Sequence, residues 1–117
     1  MKSAQPNSMS PMSAAAFHVL LALASQDLHG YGIIQEVVRL SRGQYRIGPG
    51  TLYDNLKKLI NSGWVKDSEE EGLVGDEKRR MYHLTEEGRN ALKADVSRIK
   101  SILRVADRRL VREDGGA

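Results

Sequence analysis

Apolar side chains recur at spacings of three and four in four separate stretches of the chain, and each stretch is closed by glycine or a polar cluster. Phe17, Leu20, Leu21 and Ala24 define the first, a helix over 13–25 with Ser13 as its N-cap. Asp27-Leu28-His29-Gly30 breaks it. Ile33, Ile34, Val37 and Val38 form the stripe of a second helix over 31–40, and Gly43 ends that region. A very short strand is predicted over 44–47. Pro49 then opens a third helix over 49–62, because its missing N–H costs nothing in a first turn. Leu52, Leu56, Leu59 and Ile60 share one face of this helix, and Gly63 stands at its C-terminal stop.

The period changes after Gly63. Trp64-Val65-Lys66 and Arg80-Met81-Tyr82-His83-Leu84 read as two short strands joined by a polar, glycine-punctuated loop over 67–79. Thr85 caps a last helix that extends to about Arg112, with Glu86 and Glu87 facing the positive end of its dipole. Three helices, a hairpin and a long helix make a mainly α chain of winged helix-turn-helix type, with a small antiparallel β wing and a long C-terminal helix. The expected division is a disordered tail over 1–12, a winged domain over 13–84, the long helix over 85–112 and a second disordered tail over 113–117.

The last helix carries the most regular pattern. Leu92, Val96, Ile99, Leu103, Ala106 and Leu110 step by 4, 3, 4, 3 and 4, an a/d seam over nearly three heptads. The first half can be buried on the chain's own core, whereas the second half needs a partner. A second copy of the same helix would give a two-fold dimer; packing against the first helix is the alternative.

Composition narrows the chemistry. With 117 residues there is room for one domain, and with no cysteine there are no disulfides, thiol nucleophiles or cysteine-ligated metals. No apolar run approaches the ~20 residues that cross a bilayer. The opening residues carry no apolar signal core, so cytoplasmic residence and no membrane partner are expected. His18, His29 and His83 are scattered, so no metal or other cofactor is expected. No nucleophile has an identifiable base, which argues against an enzyme.

The net charge of +3 is mildly basic and unevenly distributed. Lys66 to Arg80 holds more acids than bases; Arg89 to Arg112 is strongly basic. On the third helix, the face opposite Leu52, Leu56 and Leu59 presents Gly50, Asp54, Lys57, Lys58 and Asn61, flanked by Thr51, Tyr53 and Asn55. These are side chains that donate to phosphates and base edges, and Gly50 lets a DNA backbone come close to the helix N-terminus. A merely solvated polar face accounts for the same composition.

Three blocks in order, "HGY" at 29–31, "GTLY..L..L...G" at 50–63 and "Y.LTEEGR" at 82–89, closely resemble the PadR family of bacterial transcriptional regulators over about residues 13 to 110. The resemblance implies binding to double-stranded DNA, usually as a repressing homodimer, with a small-molecule effector in some members. It places the recognition contacts at Thr51, Tyr53, Asn55, Lys57 and Lys58, and the wing contacts at Lys78, Arg79 and Arg80. Two features depart from the family pattern. Asp54 stands where the family often has proline, and the wing carries Asp67, Glu69, Glu70, Glu71, Asp76 and Glu77, acids that phosphate would repel. A protein-interaction module using that acidic wing is therefore the competing function. The His29-Gly30-Tyr31 turn reads either as a ligand site or as a helix start whose aromatic packs under the recognition helix.

Overall fold

A computed structural model describes residues 11–71 and 78–116; side chains are described except at 69–71, 78 and 112–116. The elements are α1 (Ala14–Ala22), β1 (Leu28–His29), α2 (Gly30–Leu40), α3 (Pro49–Asn61), β2 (Val65–Glu71), β3 (Lys78–Leu84) and α4 (Glu86–Gly116). The fold is the winged helix that the pattern predicts: three helices around one core, a sheet on one edge, and a long helix leaving it. The expected N-terminal tail falls almost wholly on residues outside those described.

Each helix boundary has a local cause. The Ser13 side chain accepts from the Ala16 N–H at 3.1 Å and caps α1. The chain then enters β1, and Nδ1 of His29 accepts from the Gly32 N–H at 3.3 Å to cap α2. After α3 the chain turns through Gly63 at φ +81, with the N–H groups of Gly63 and Trp64 donating to the carbonyls of Ile60 and Leu59. That double return bond needs a left-handed residue, which glycine adopts without strain.

The short strand lies elsewhere than the pattern suggests. Residues 44–47 form no strand; the Ser41 hydroxyl accepts from the Tyr45 N–H and donates to its carbonyl, closing a turn there. The edge strand is instead Leu28–His29, paired with Met81 and Tyr82 of β3, so the sheet has the order β1-β3-β2. Both hairpin strands also run further than expected, through Glu71 and back from Lys78. Opposite charges in every rung between 69 and 80 make this extension favourable, although the run has too few apolar residues to signal a strand.

The core is continuous across the helices and the sheet: Val19, Leu20 and Leu23 of α1 and its C-cap, Ile33 and Val37 of α2, Leu52, Leu56 and Leu59 of α3, and Val65, Tyr82 and Leu84 of the sheet are all buried. Leu92 extends this core onto α4, and Val96 packs against it. The 31-residue α4 is ~46 Å long at 1.5 Å per residue. It continues to Gly116, beyond the expected end near Arg112, so residues 113–116 of the expected tail are helical.

Thr85 ties this helix to the rest. Its N–H donates to the Trp64 carbonyl, its hydroxyl donates to the Gly63 carbonyl at 2.7 Å, and the same oxygen accepts from the Gly88 N–H at 3.0 Å. One residue thus fixes the end of α3, the start of β2 and the start of α4 relative to one another.

Candidate nucleic-acid interface

The N-terminal half of α3 is open to solvent. Its N-cap, Gly48, has no side chain to satisfy the first amides, and Pro49 has none to offer, so free N–H groups point out of the helix end. At Gly48 and Gly50 nothing lies within 4 Å of where a Cβ would stand, so an approaching backbone meets no obstacle. Leu52, Leu56 and Leu59 are buried, which fixes the rotation of α3 and turns Thr51, Tyr53, Asp54, Lys57 and Lys58 outward, all exposed. The expected recognition residues therefore share one accessible surface. Asn55 is the exception in detail: it is half-buried, and its side-chain amide donates to the Thr51 carbonyl of its own helix at 2.9 Å.

The aromatic contact beside α3 is the reverse of the one expected. Tyr31 does not pack under the recognition helix; it is 65% exposed. Instead Tyr53 reaches from α3 to α2, with its hydroxyl over Gly30 where any Cβ would overlap it. A glycine at position 30 is what admits the tyrosine, so the "HGY" turn and the "GTLY" helix are two halves of one contact. His29 spends its Nδ1 on the helix cap, His18 stacks on Tyr45 at 4.2 Å between centroids, and His83 meets Asp27 at 2.8 Å. The three histidines thus serve three separate local contacts.

The wing joins this surface through Tyr82 of β3, which is buried. Burial raises the pKa of its hydroxyl above the ordinary value, and the neighbouring Tyr53 and Asp67 push the same way against the opposing effect of Arg80. Arg79 and Arg80 are exposed on β3, and Nη1 of Arg80 donates to Oδ2 of Asp67 at 2.7 Å. The Lys78 side chain lies outside the described residues, as do Asp76 and Glu77 altogether.

The seam on α4 divides along its length. Leu92 is buried, Val96, Ile99 and Ala106 are half-buried, and Leu103 and Leu110 are 55% and 57% exposed. Ile102 and Val111, outside the regular 4-3 stepping, are 56% and 64% exposed and widen the distal apolar surface. The alternative of packing the whole seam against α1 is not what the chain does: the contact with α1 is confined to the proximal part. There Asp95, 7% exposed, accepts from the Met12 N–H at 3.3 Å and from Nε of Arg98 at 3.1 Å. Nothing in the stepping flagged Asp95, because a carboxylate beside an apolar seam reads as a solvated flank.

An α2–turn–α3 pair whose second helix is exposed along its polar face, with a hairpin at its side, defines a winged helix-turn-helix of nucleic-acid-binding geometry. Residues 19–94 match the transcriptional regulator PadR-like family. Over 92 residues the chain is 36% identical to the transcriptional regulator Rv3488 of Mycobacterium tuberculosis, spanning 79% of this chain and 81% of that protein. In structure it is similar to a PadR family transcription regulator from Clostridium difficile, with a TM-score of 0.73 at 24% identity, over 84% of this chain and 99% of that one. It also resembles Bacillus subtilis PadR in complex with operator DNA, with a TM-score of 0.63 at 22% identity, over 70% of this chain and 46% of that one. The chain belongs to the PadR-like family of transcriptional regulators. Among the described residues, no helix is long and apolar enough to cross a membrane.

Proposed function

We propose that this protein is a cytoplasmic, sequence-specific DNA-binding repressor that acts as a homodimer, and that it is not an enzyme. The observation that carries the reading is the solvent-open face of α3. Free N-terminal amides, Gly50 and the exposed Thr51, Tyr53, Lys57 and Lys58 lie along one helix that the core holds rigidly. In helix-turn-helix proteins such a helix enters the major groove, with its N-terminal residues at base edges. The solved operator complex of Bacillus subtilis PadR supports carrying this mode over. Asn55 serves by fixing the first turns of α3 in addition to any base contact. Lys57, Lys58, Lys78, Arg79 and Arg80 supply phosphate contacts. The dimer rests on Leu92, Val96, Ile99, Leu103, Ala106 and Leu110, with Ile102 added. A small-molecule effector, known for some members of the family, would act by shifting how the two domains are held apart.

Salt dependence separates this reading from a protein-interaction module. Each cation on phosphate contributes about −0.9 to the slope of log K against log salt. Lys57→Ala should weaken binding to every duplex alike, Arg79→Ala should weaken binding to the operator, and each should flatten the operator slope by about one unit. A slope unchanged in both variants would remove the proposed docking face.

Gly30→Ala provides a check on the tyrosine contact. The new methyl meets only the far end of a flexible side chain, so Tyr53 moves aside and the fold survives. Thermal stability should stay nearly constant, while DNA affinity falls roughly 5-fold, the worth of about one hydrogen bond. Unchanged affinity in a melting-matched titration would mean that Tyr53 needs no fixed position to bind.

A further inference from the structure

The wing strands carry opposite charges in register. β2 holds Asp67, Glu69, Glu70 and Glu71, and β3 begins Lys78-Arg79-Arg80. The antiparallel ladder sets Glu69 opposite Arg80, Glu70 opposite Arg79 and Glu71 opposite Lys78. In an antiparallel ladder, positions directly opposed are the neighbours whose charges act most strongly on one another. Every cation that β3 could offer to phosphate thus has an acid as its cross-strand neighbour. The Asp67–Arg80 bond at 2.7 Å adds a diagonal contact at the root of the hairpin, with the two side chains 30% and 49% exposed. Asp67 is also the rung partner of Tyr82, so this pair lies where the wing meets the recognition helix.

We propose that the acids of β2 are specificity determinants that mask the wing cations from non-specific DNA, an inference that rests on the DNA-binding reading above. A guanidinium already paired with a carboxylate gains little by moving to phosphate, since one ion pair is exchanged for another. The carboxylate left behind also faces the phosphates and is repelled. Contact of the wing with arbitrary DNA is therefore nearly neutral in free energy. On an operator, base contacts from α3 hold the wing against the backbone, and the exchange goes forward there. The departure of this wing from a plainly basic one then lowers background binding more than operator binding.

The test is a salt titration of fluorescence anisotropy on a labelled duplex of random sequence. It compares the parent, Asp67→Asn, Arg80→Gln, the double variant of those two, and a triple variant with glutamine at 69, 70 and 71. Asp67→Asn should bind about 3- to 10-fold tighter at 50 mM salt, with a slope steeper by about one unit, the signature of one more cation on phosphate. The triple variant should steepen the slope further. The gain from Asp67→Asn should vanish in the Arg80→Gln background, because no masked guanidinium remains at that position. An equal gain in both backgrounds would reduce the effect to plain repulsion and overturn the mask. Superimposed curves for the parent, Asp67→Asn and the triple variant would overturn it too. A parent that binds no duplex even at low salt would instead bring down the DNA-binding reading itself, a result distinguishable from the other two.

Discussion

Ile102→Glu combined with Leu103→Glu is expected to give a folded monomer with operator affinity reduced by at least about 100-fold. Both side chains are more than half exposed in the single chain, so charges there cost the isolated fold almost nothing. In a dimer the same charges would be buried without partners, which is strongly unfavourable. The apolar stripe sets the scale of the opposing gain. Covering Ile102, Leu103 and Leu110 recovers roughly 1.5–3 kcal/mol for each side chain fully removed from water. The loss of DNA affinity follows from linkage, since two coupled half-sites exceed one by about 10²–10⁴. Sedimentation velocity and an operator titration on the same preparation check both parts. A double variant that stays dimeric would move the interface off α4.

Gly88→Ala has the largest expected effect on the fold itself. Helix propensity alone favours alanine over glycine by about 1 kcal/mol in a helix interior. Here the new methyl would overlap the Trp64 carbonyl oxygen, with the Leu84 Cδ1 at 2.7 Å from it as well. The obstructing atom is backbone, held by hydrogen bonds from the Thr85 N–H and by the neighbouring Gly63–Thr85 bond, so it cannot swing aside. Steric displacement of α4 from the sheet wins, and the net loss is about 2 kcal/mol or more. For a domain of this size, that lowers the melting temperature by roughly 10 °C. Thermal melts of the variant beside the parent decide it; a melting temperature equal to or above the parent's would show that the helix can back away freely.

The helices were legible because burial and period coincide. Leu52, Leu56 and Leu59 lie on one face of a strongly periodic stretch, and the structure buries all three. Caps were legible for the same reason at Ser13 and Thr85, whose hydroxyls take up the first amides of α1 and α4. Contacts between elements were less so. Nothing local distinguishes Leu28–His29 from a loop, since a two-residue strand is defined only by its partner on β3. The sequence points to Tyr31 as the packed aromatic and to Tyr53 as a contact on DNA, and the absence of a side chain at Gly30 is what admits Tyr53 instead. The wing strands run longer than the sequence pattern indicates because charges replace the apolar alternation that marks a strand; only the register shows that the charges oppose one another. Asp95 was invisible for a similar reason, as its partner, the Met12 N–H, is distant in the chain.

Selection of bound sequences from a pool of random duplex DNA by the purified protein is the decisive measurement of dimeric operator recognition. A two-fold symmetric site should be enriched, with half-sites about one helical turn apart or a multiple of that, ~34–36 Å centre to centre per turn. Enrichment should be lost with the Ile102→Glu, Leu103→Glu variant, which retains one reading head per particle. A pool that shows no enriched sequence, or one enriched only in a single asymmetric element that the monomeric variant binds equally well, would contradict it.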